Sequence, residues 1–326
     1  MLGSSPTRMR LILSLALALG TGTAAAAADW PSRPVTIVVP YAAGGNTDFI
    51  ARVTAERLSN AFGQSFIVEN RTGASGMIAA EYVAHRPADA YTLFFATITQ
   101  ISMAPFLAKI RYDPVKDFVP IVNVGANPFV AVVGSRQPFE NLADLVAYAR
   151  LNPGKLTVGH AGVGSTTHLS ASLFLSRAGI KATMVPYKGG SPALTDVIAG
   201  FTDVCFSNLS EVIPHVRGGR VRFLGVSSGK RIRQLPDVPA IAENYPGYSM
   251  ETWDGLLAPA GVPAEVGDRL ASAVTKILSV AQFQEKLESA GVTPLPGEVK
   301  DVFARRIQQD MVYWKPAIED LGIKPE

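Results

Sequence analysis

Val35-Thr36-Ile37-Val38-Val39-Pro40-Tyr41-Ala42-Ala43-Gly44-Gly45-Asn46-Thr47-Asp48 decides the fold. Five apolar or β-branched residues read as a buried strand, and the following Gly-containing turn opens an amphipathic helix over Thr47 to Phe62. A strand fed directly into a helix is the unit of an α/β protein. In open α/β sheets ligands sit outside the carboxyl ends of the strands, where a helix N-terminus offers unpaired N–H groups and a partial positive charge. Gly44 and Gly45 let the backbone turn inward, which suits this loop to a carboxylate. The same residues also suit an ordinary βα turn in which Asn46, Thr47 or Asp48 caps the helix.

The alternation continues outward. Strands are expected at Phe66 to Asn70, Tyr91 to Ala96, Phe129 to Val133, Leu156 to His160, Ala182 to Val185, Val204 to Phe206, Val221 to Val226 and Gly255 to Pro259. Helices are expected at Ile78 to His85, Leu142 to Leu151, Thr166 to Ala178 and Ser191 to Ala199, then from Pro263 to Ala290 and Lys300 to Leu321. Two βα series with a late return segment predict two α/β lobes, residues 29–127 plus 252–326 and residues 128–251, built on parallel sheets.

Upstream, Arg8 and Arg10 precede the apolar run Leu11 to Leu19 and a small-residue tract ending at Ala28. This is the order of a secretory signal peptide, and its core is too short to span a bilayer. Cleavage after Ala28 and a periplasmic location are therefore expected. Removing residues 1–28 takes away two of the positive charges and no acid, so the formal +3 of the 326-residue chain falls to about +1. That balance gives no footprint for nucleic acid. Hydrophobic residues at 48% and charged residues at 17% describe a globular chain with an ample core. Cys205, the single cysteine, forms no internal disulfide and reads as a small buried hydrophobe.

Three further strand ends offer chemistry. Ala161-Gly162-Val163-Gly164-Ser165-Thr166-Thr167-His168 supplies hydroxyls and backbone amides for a second anion cradle. Ser165 and His168 also fit a hydrolase reading, yet no Gly-x-Ser-x-Gly elbow, dinucleotide fingerprint or Gly-Lys-Ser/Thr follows. The other histidines, His85, His160 and His215, lack metal-ligand spacing, so neither a metal nor a cofactor is expected. Tyr187 and Lys188 open the loop before Ser191, and Ser207-Asn208 lie just past a strand.

These stretches, in this order, resemble the Bug or TctC-like family of periplasmic solute receptors. The likeness rests on Pro40-Tyr41 with Gly44-Gly45 and Asp48 to Arg52, Glu69-Asn70-Arg71, Val185-Pro186-Tyr187-Lys188-Gly189, Pro192 to Asp196, Leu235 to Pro239 and Gly255 to Gly261. The resemblance implies a type II periplasmic-binding-protein fold, no enzymatic activity, and a monomer whose lobes close over a small organic carboxylate. Tyr41, Ala43, Gly44, Gly45, Asn46 and Asp48 would grip the carboxylate. Gly164, Ser165, Thr166, Thr167, His168, Tyr187, Ser207 and Asn208 would supply the opposing contacts. Membrane transporter subunits of the tripartite tricarboxylate type, or alternatively a membrane sensor, would receive the bound form. Many members carry Asp where this chain has Ser207, so a negative charge that would pair with a ligand ammonium is expected to be missing here.

Overall fold

The computed structural model describes residues 30–216 and 218–322. The expected signal peptide lies outside the described residues. The leading unit forms β1 (Val35–Val39) and α1 (Asn46–Phe62), followed by β2 (Phe66–Asn70), α2 (Met77–Ala84), β3 (Thr92–Thr97) and the single turn α3 (Ala104–Leu107). β1 lies between β2 and β3 with both pairings parallel. Val35, Ile37, Val38 and Val39 are fully buried, because a central parallel strand is covered on both faces.

β4 (Phe118–Gly134) is a single 17-residue strand, whereas the sequence predicts a strand only from Phe129. Pro120, Gly125 and Pro128 disguise its first part, and register shifts after Pro120 and Asn123 absorb the irregularity. Beyond it come α4 (Leu142–Leu151), β5 (Thr157–His160), α5 (Thr166–Ala178), β6 (Thr183–Pro186), α6 (Gly190–Ala199), β7 (Val204–Asn208), α7 (Leu209–Val216) and β8 (Val221–Val226). β9 (Glu251–Pro259), α8 (Ala264–Leu278), α9 (Ala281–Ser289), β10 (Thr293–Pro294) and α10 (Asp301–Asp320) complete the chain. The helix expected from Pro263 to Ala290 is thus two helices, α8 and α9.

The strands run β2-β1-β3-β9-β4-β7-β5-β6, with β8 and β10 also on β4. Both lobes are α/β, but the sheets are mixed rather than parallel throughout. β9 is antiparallel to β3 and β4, and β4 is antiparallel to β7 and β8. β4 joins the two lobes: its residues up to Pro128 pair with β9, and those from Phe129 onward pair with β7 and β8. One core gathers Val35, Ile37, Ile50 and Leu58 against Leu270 and Val274 of α8. A second gathers Val130 and Val132 of β4 with Cys205, Leu209 and Val212. The third runs through both lobes, from Phe94 and Phe303 to Phe174 and Phe206. The carboxyl ends of β1, β5 and β7 consequently face a common cleft.

Candidate functional site

The first loop is tied from below by Asp48. Its Oδ2 accepts from the Gly44 N–H at 2.9 Å and from Arg52 Nε at 2.9 Å, while its Oδ1 accepts from Asn70 Nδ2 at 2.8 Å. Burial works against ionisation, but these donors together hold Asp48 below the usual carboxylate value. Asp48 therefore shapes the loop from behind. Gly45 is the N-cap of α1 and supplies no side chain, so none of Asn46, Thr47 and Asp48 is the cap. Of the two loop glycines only Gly44 needs glycine's freedom, with φ +83°, since Gly45 has an ordinary φ of −80°.

The second loop is tied by its own side chains. Ala161 N–H donates to Thr167 Oγ1 at 2.8 Å, Gly162 N–H to His160 Nδ1 at 3.3 Å and Gly164 N–H to His168 Nδ1 at 3.2 Å. Ser165 caps α5 by accepting the His168 N–H at 3.2 Å, and its hydroxyl also meets Thr167 Oγ1 at 3.1 Å. The His160 and His168 rings lie 4.6 Å apart. Burial, with His160 adding to it, brings His168 down to about 4, so its ring is neutral at pH 7 and serves as an acceptor. Ser165 does not bond to that ring, and the hydrolase geometry does not form.

Across the cleft, Glu211 reaches from the first turn of α7. Its Oε1 accepts the N–H of Asn46 at 3.0 Å and its Oε2 accepts from Ser207 Oγ at 2.7 Å. Ser210 Oγ donates to Asn46 Oδ1 at 2.5 Å, and Ser191 Oγ donates to the Gly44 carbonyl at 3.3 Å. Behind Asn46 lies a buried polar chain. Asp254 Oδ2 accepts from Asn46 Nδ2 at 3.0 Å and Asn127 Nδ2 at 3.2 Å, and Asn127 also approaches Asn208 Oδ1 at 3.4 Å. Burial pushes Asp254 up to about 7, and the nearby Glu211 charge adds to the rise. Burial also raises Glu211, against the bonds from Ser207 and Asn46.

Two cavities open at this meeting point. A small one of about 30 Å³ is lined by Tyr41, Gly45, Asn46, Thr166, Thr167, Asn208 and Glu211. A larger one of about 240 Å³ lies between Pro40, Tyr41, Met77, Leu107, Val163, Gly164, Tyr187 and Lys188. Tyr41 borders both, and its hydroxyl accepts from Gln100 Nε2 at 3.0 Å. Ser75 Oγ donates to the Val163 carbonyl and bridges the lobes beside the larger space. Tyr187 presents its ring there while its hydroxyl donates to Asp196 at 2.6 Å. A groove of about 990 Å³ beside α1, α8 and α9 lies away from the strand ends. Among the described residues no three His, Cys, Asp or Glu side chains converge to hold a metal ion.

The sequence matches the profile of the tripartite tricarboxylate transporter family receptor over residues 50–323. The chain belongs to this receptor family. It is 32% identical to Protein BugT of Bordetella pertussis, covering 90% of this chain and 91% of that protein. Among solved structures it is similar to R. palustris Rpa4515 with adipate, at 37% identity and TM-score 0.87, covering 91% of this chain and all of the other. It is also similar to MatC (Rpa3494) from Rhodopseudomonas palustris with bound malate, at 30% identity and TM-score 0.84, covering 89% of this chain and all of that one. The fold is that of the periplasmic binding proteins, with two α/β lobes.

Of the residues read from the sequence, the receptor brings Tyr41, Gly45, Asn46, Thr166, Thr167 and Asn208 to the small cavity and Gly164 and Tyr187 to the larger one. Ala43, Gly44, Asp48, Ser165, His168 and Ser207 stand outside both linings. Position 207 itself carries no acid, but the carboxyl group of Glu211, one helical turn on, stands beside Ser207 at that strand end. The sequence reading missed Glu211 because it missed α7. Leu209, Val212, Ile213 and Val216 carry the helical period, with Glu211 in the first turn, but Pro214 argues against a helix there. Asn127 and Asp254 were missed for want of any local motif.

Proposed function

We propose that this receptor captures a small organic carboxylate between its lobes in the periplasm and delivers it, as a monomer, to membrane subunits of a tripartite tricarboxylate-type transporter. Export by the N-terminal signal, with cleavage after Ala28, brings it there. The lobes comprise residues 29–127 plus 252–326 and residues 128–251, and they close by bending where β4 and β9 pass between them, near Asn127-Pro128 and Glu251-Thr252. The observation that carries this reading is the Asn46 N–H, the first amide of α1, which donates to a carboxylate across the cleft. Tyr41, Gly45 and Asn46 on one side and Thr166, Thr167 and Asn208 on the other form the ligand contacts. Ala43, Gly44 and Asp48 hold the first loop in shape, and Ser165 and His168 do the same for the second.

The larger cavity selects the rest of the ligand. Pro40, Met77, Leu107 and Val163 give it an apolar wall, Tyr41 and Tyr187 add aromatic surface, and Lys188 is the single cation in its lining. A carboxylate bearing an uncharged tail fits these walls, and Lys188 can meet a second carboxylate at the rim. The adipate-bound and malate-bound relatives support this class. The ligand leaves unchanged, since neither cradle holds a nucleophile paired with a base. Calorimetry of protein refolded from denaturant, against a panel of mono- and dicarboxylates, tests the reading. Saturable one-to-one binding with recovery of the intact ligand is expected. No binding across the panel, or chemical conversion of the ligand, overturns it.

A further inference from the structure

The carboxylate at the start of α1 belongs to the protein. Besides its bonds to the Asn46 N–H and Ser207 Oγ, the Glu211 carboxylate lies against Gly45 and Gly190, the residues that open α1 and α6. A methyl group on Gly190 would come within 2.3 Å of Glu211 Oε2, and one on Gly45 within 3.2 Å of Oε1. Two glycines thus leave between two helix starts the room that a carboxylate needs. Both helices place their positive ends there. The adjoining small cavity of about 30 Å³ holds no more than a water, and no Lys or Arg lines it. Backbone dipoles and hydroxyls, not a counter-ion, therefore hold this acid. Ser210 to Asn46 and Ser191 to Gly44 span the same gap, so Glu211 acts among the contacts that bring the lobes together.

We propose that Glu211 is an internal competitor, occupying the position between Gly45 and Gly190 that a ligand carboxylate takes, and that such a ligand docks at α1 only by displacing it. The inference rests on the carboxylate-receptor reading and makes Glu211 the residue that sets its threshold. A ligand lacking a carboxylate has nothing with which to replace the acid on the α1 amide. A carboxylate exchanges like for like.

Glu211→Ala removes the acetate-sized CH2–COO− end of the side chain, and propionate, one methylene longer, is the probe for the space it leaves. Propionate should raise the Tm of Glu211→Ala by several degrees in a saturable manner and leave the wild-type protein unmoved, while propionamide moves neither. An unresponsive variant, or equal stabilisation of the wild type, overturns the proposal. Glu211→Gln keeps the shape of the side chain and guards against a misfolded alanine variant. Carboxylates that bind the wild type should bind Glu211→Gln several-fold and Glu211→Ala about tenfold more tightly. Weaker binding to both variants, confined to ligands bearing an ammonium group, assigns Glu211 to a ligand cation and rejects the competitor role. If no carboxylate binds the wild type, the receptor reading fails, and the propionate experiment still decides the role of Glu211.

Discussion

The two βα loops read alike in the sequence, as Gly-rich strand ends opening helices, yet they resolve their amides differently. In the Ala161 to His168 loop, Thr167, His160 and His168 of the same lobe take the N–H groups. In the Pro40 to Asp48 loop, Asp48 takes one amide from its own lobe and Glu211 takes another from the opposite lobe. A loop that satisfies itself is a wall. A loop satisfied across a cleft keeps an amide whose partner stands on the other side. On the proposed reading, the amides of the first loop take the ligand carboxylate, while the second loop spends its amides on its own shape and offers the hydroxyls of Thr166 and Thr167.

The sharpest way to break the comparison is to fill the first loop. Gly45→Val brings carbon within reach of Glu211 Oε1 at 3.2 Å and the Ala42 carbonyl at 3.4 Å, with branches that extend further. Carboxylate affinity by calorimetry should fall about a thousandfold, or ~4 kcal/mol, with the circular dichroism spectrum preserved. Retained affinity would remove this loop from the site.

A second test uses the opposite titrations of the two regions. Burial raises Asp254, behind the first loop, from 3.8 to about 7, so the folded state holds its proton more tightly than the unfolded chain and stability falls as pH rises through that window. His168, in the second loop, is lowered from 6.5 to about 4, so its contribution is lost as pH falls through that range. The two effects oppose each other between pH 4 and 6.5, so urea unfolding of the wild type should show a nearly flat profile there and Asp254→Asn a stability that rises with pH, a difference on the order of 3 kcal/mol between the ends of the window. In His168→Asn the fall with rising pH that Asp254 causes should emerge. Identical pH profiles in the wild type and both variants would contradict the assignments.

The sequence made the leading unit legible because β1 is apolar on every face and its loop carries its glycines in the open. Six of the cleft-lining residues of the small cavity follow from strand-end position alone. The remainder was hidden by causes that are local and physical. Pro120 and Pro128 break the apolar alternation of β4, and Pro214 obscures α7, although the surrounding packing accommodates all three. Asn127, Glu211 and Asp254 meet only through the crossing of β4 and β9 between lobes, a juxtaposition with no signature in chain order. The departure at Ser207 was read correctly as a residue, but its consequence was set by a partner four positions away.

A smaller effect sharpens the contrast from the side of the second loop. Thr167→Val leaves the Ala161 N–H without its 2.8 Å acceptor in a half-buried turn. Thermal unfolding should show a loss of about 2 kcal/mol, while carboxylate affinity changes less than in Gly45→Val. A variant that kept full stability but lost binding would reverse the roles given to the two loops.

The most direct measurement follows the backbone amides themselves. Isotope-labelled protein is titrated with a carboxylate that calorimetry shows to bind, and the resonances of Asn46, Gly162 and Gly164 are tracked to saturation. The Asn46 amide, whose partner changes from Glu211 to the ligand, should move among the largest shifts in the spectrum, with Gly162 and Gly164, which only line the cavity for the ligand's tail, moving less. Large shifts at Gly162 and Gly164 with Asn46 unmoved would place the ligand carboxylate on the second loop and contradict the account.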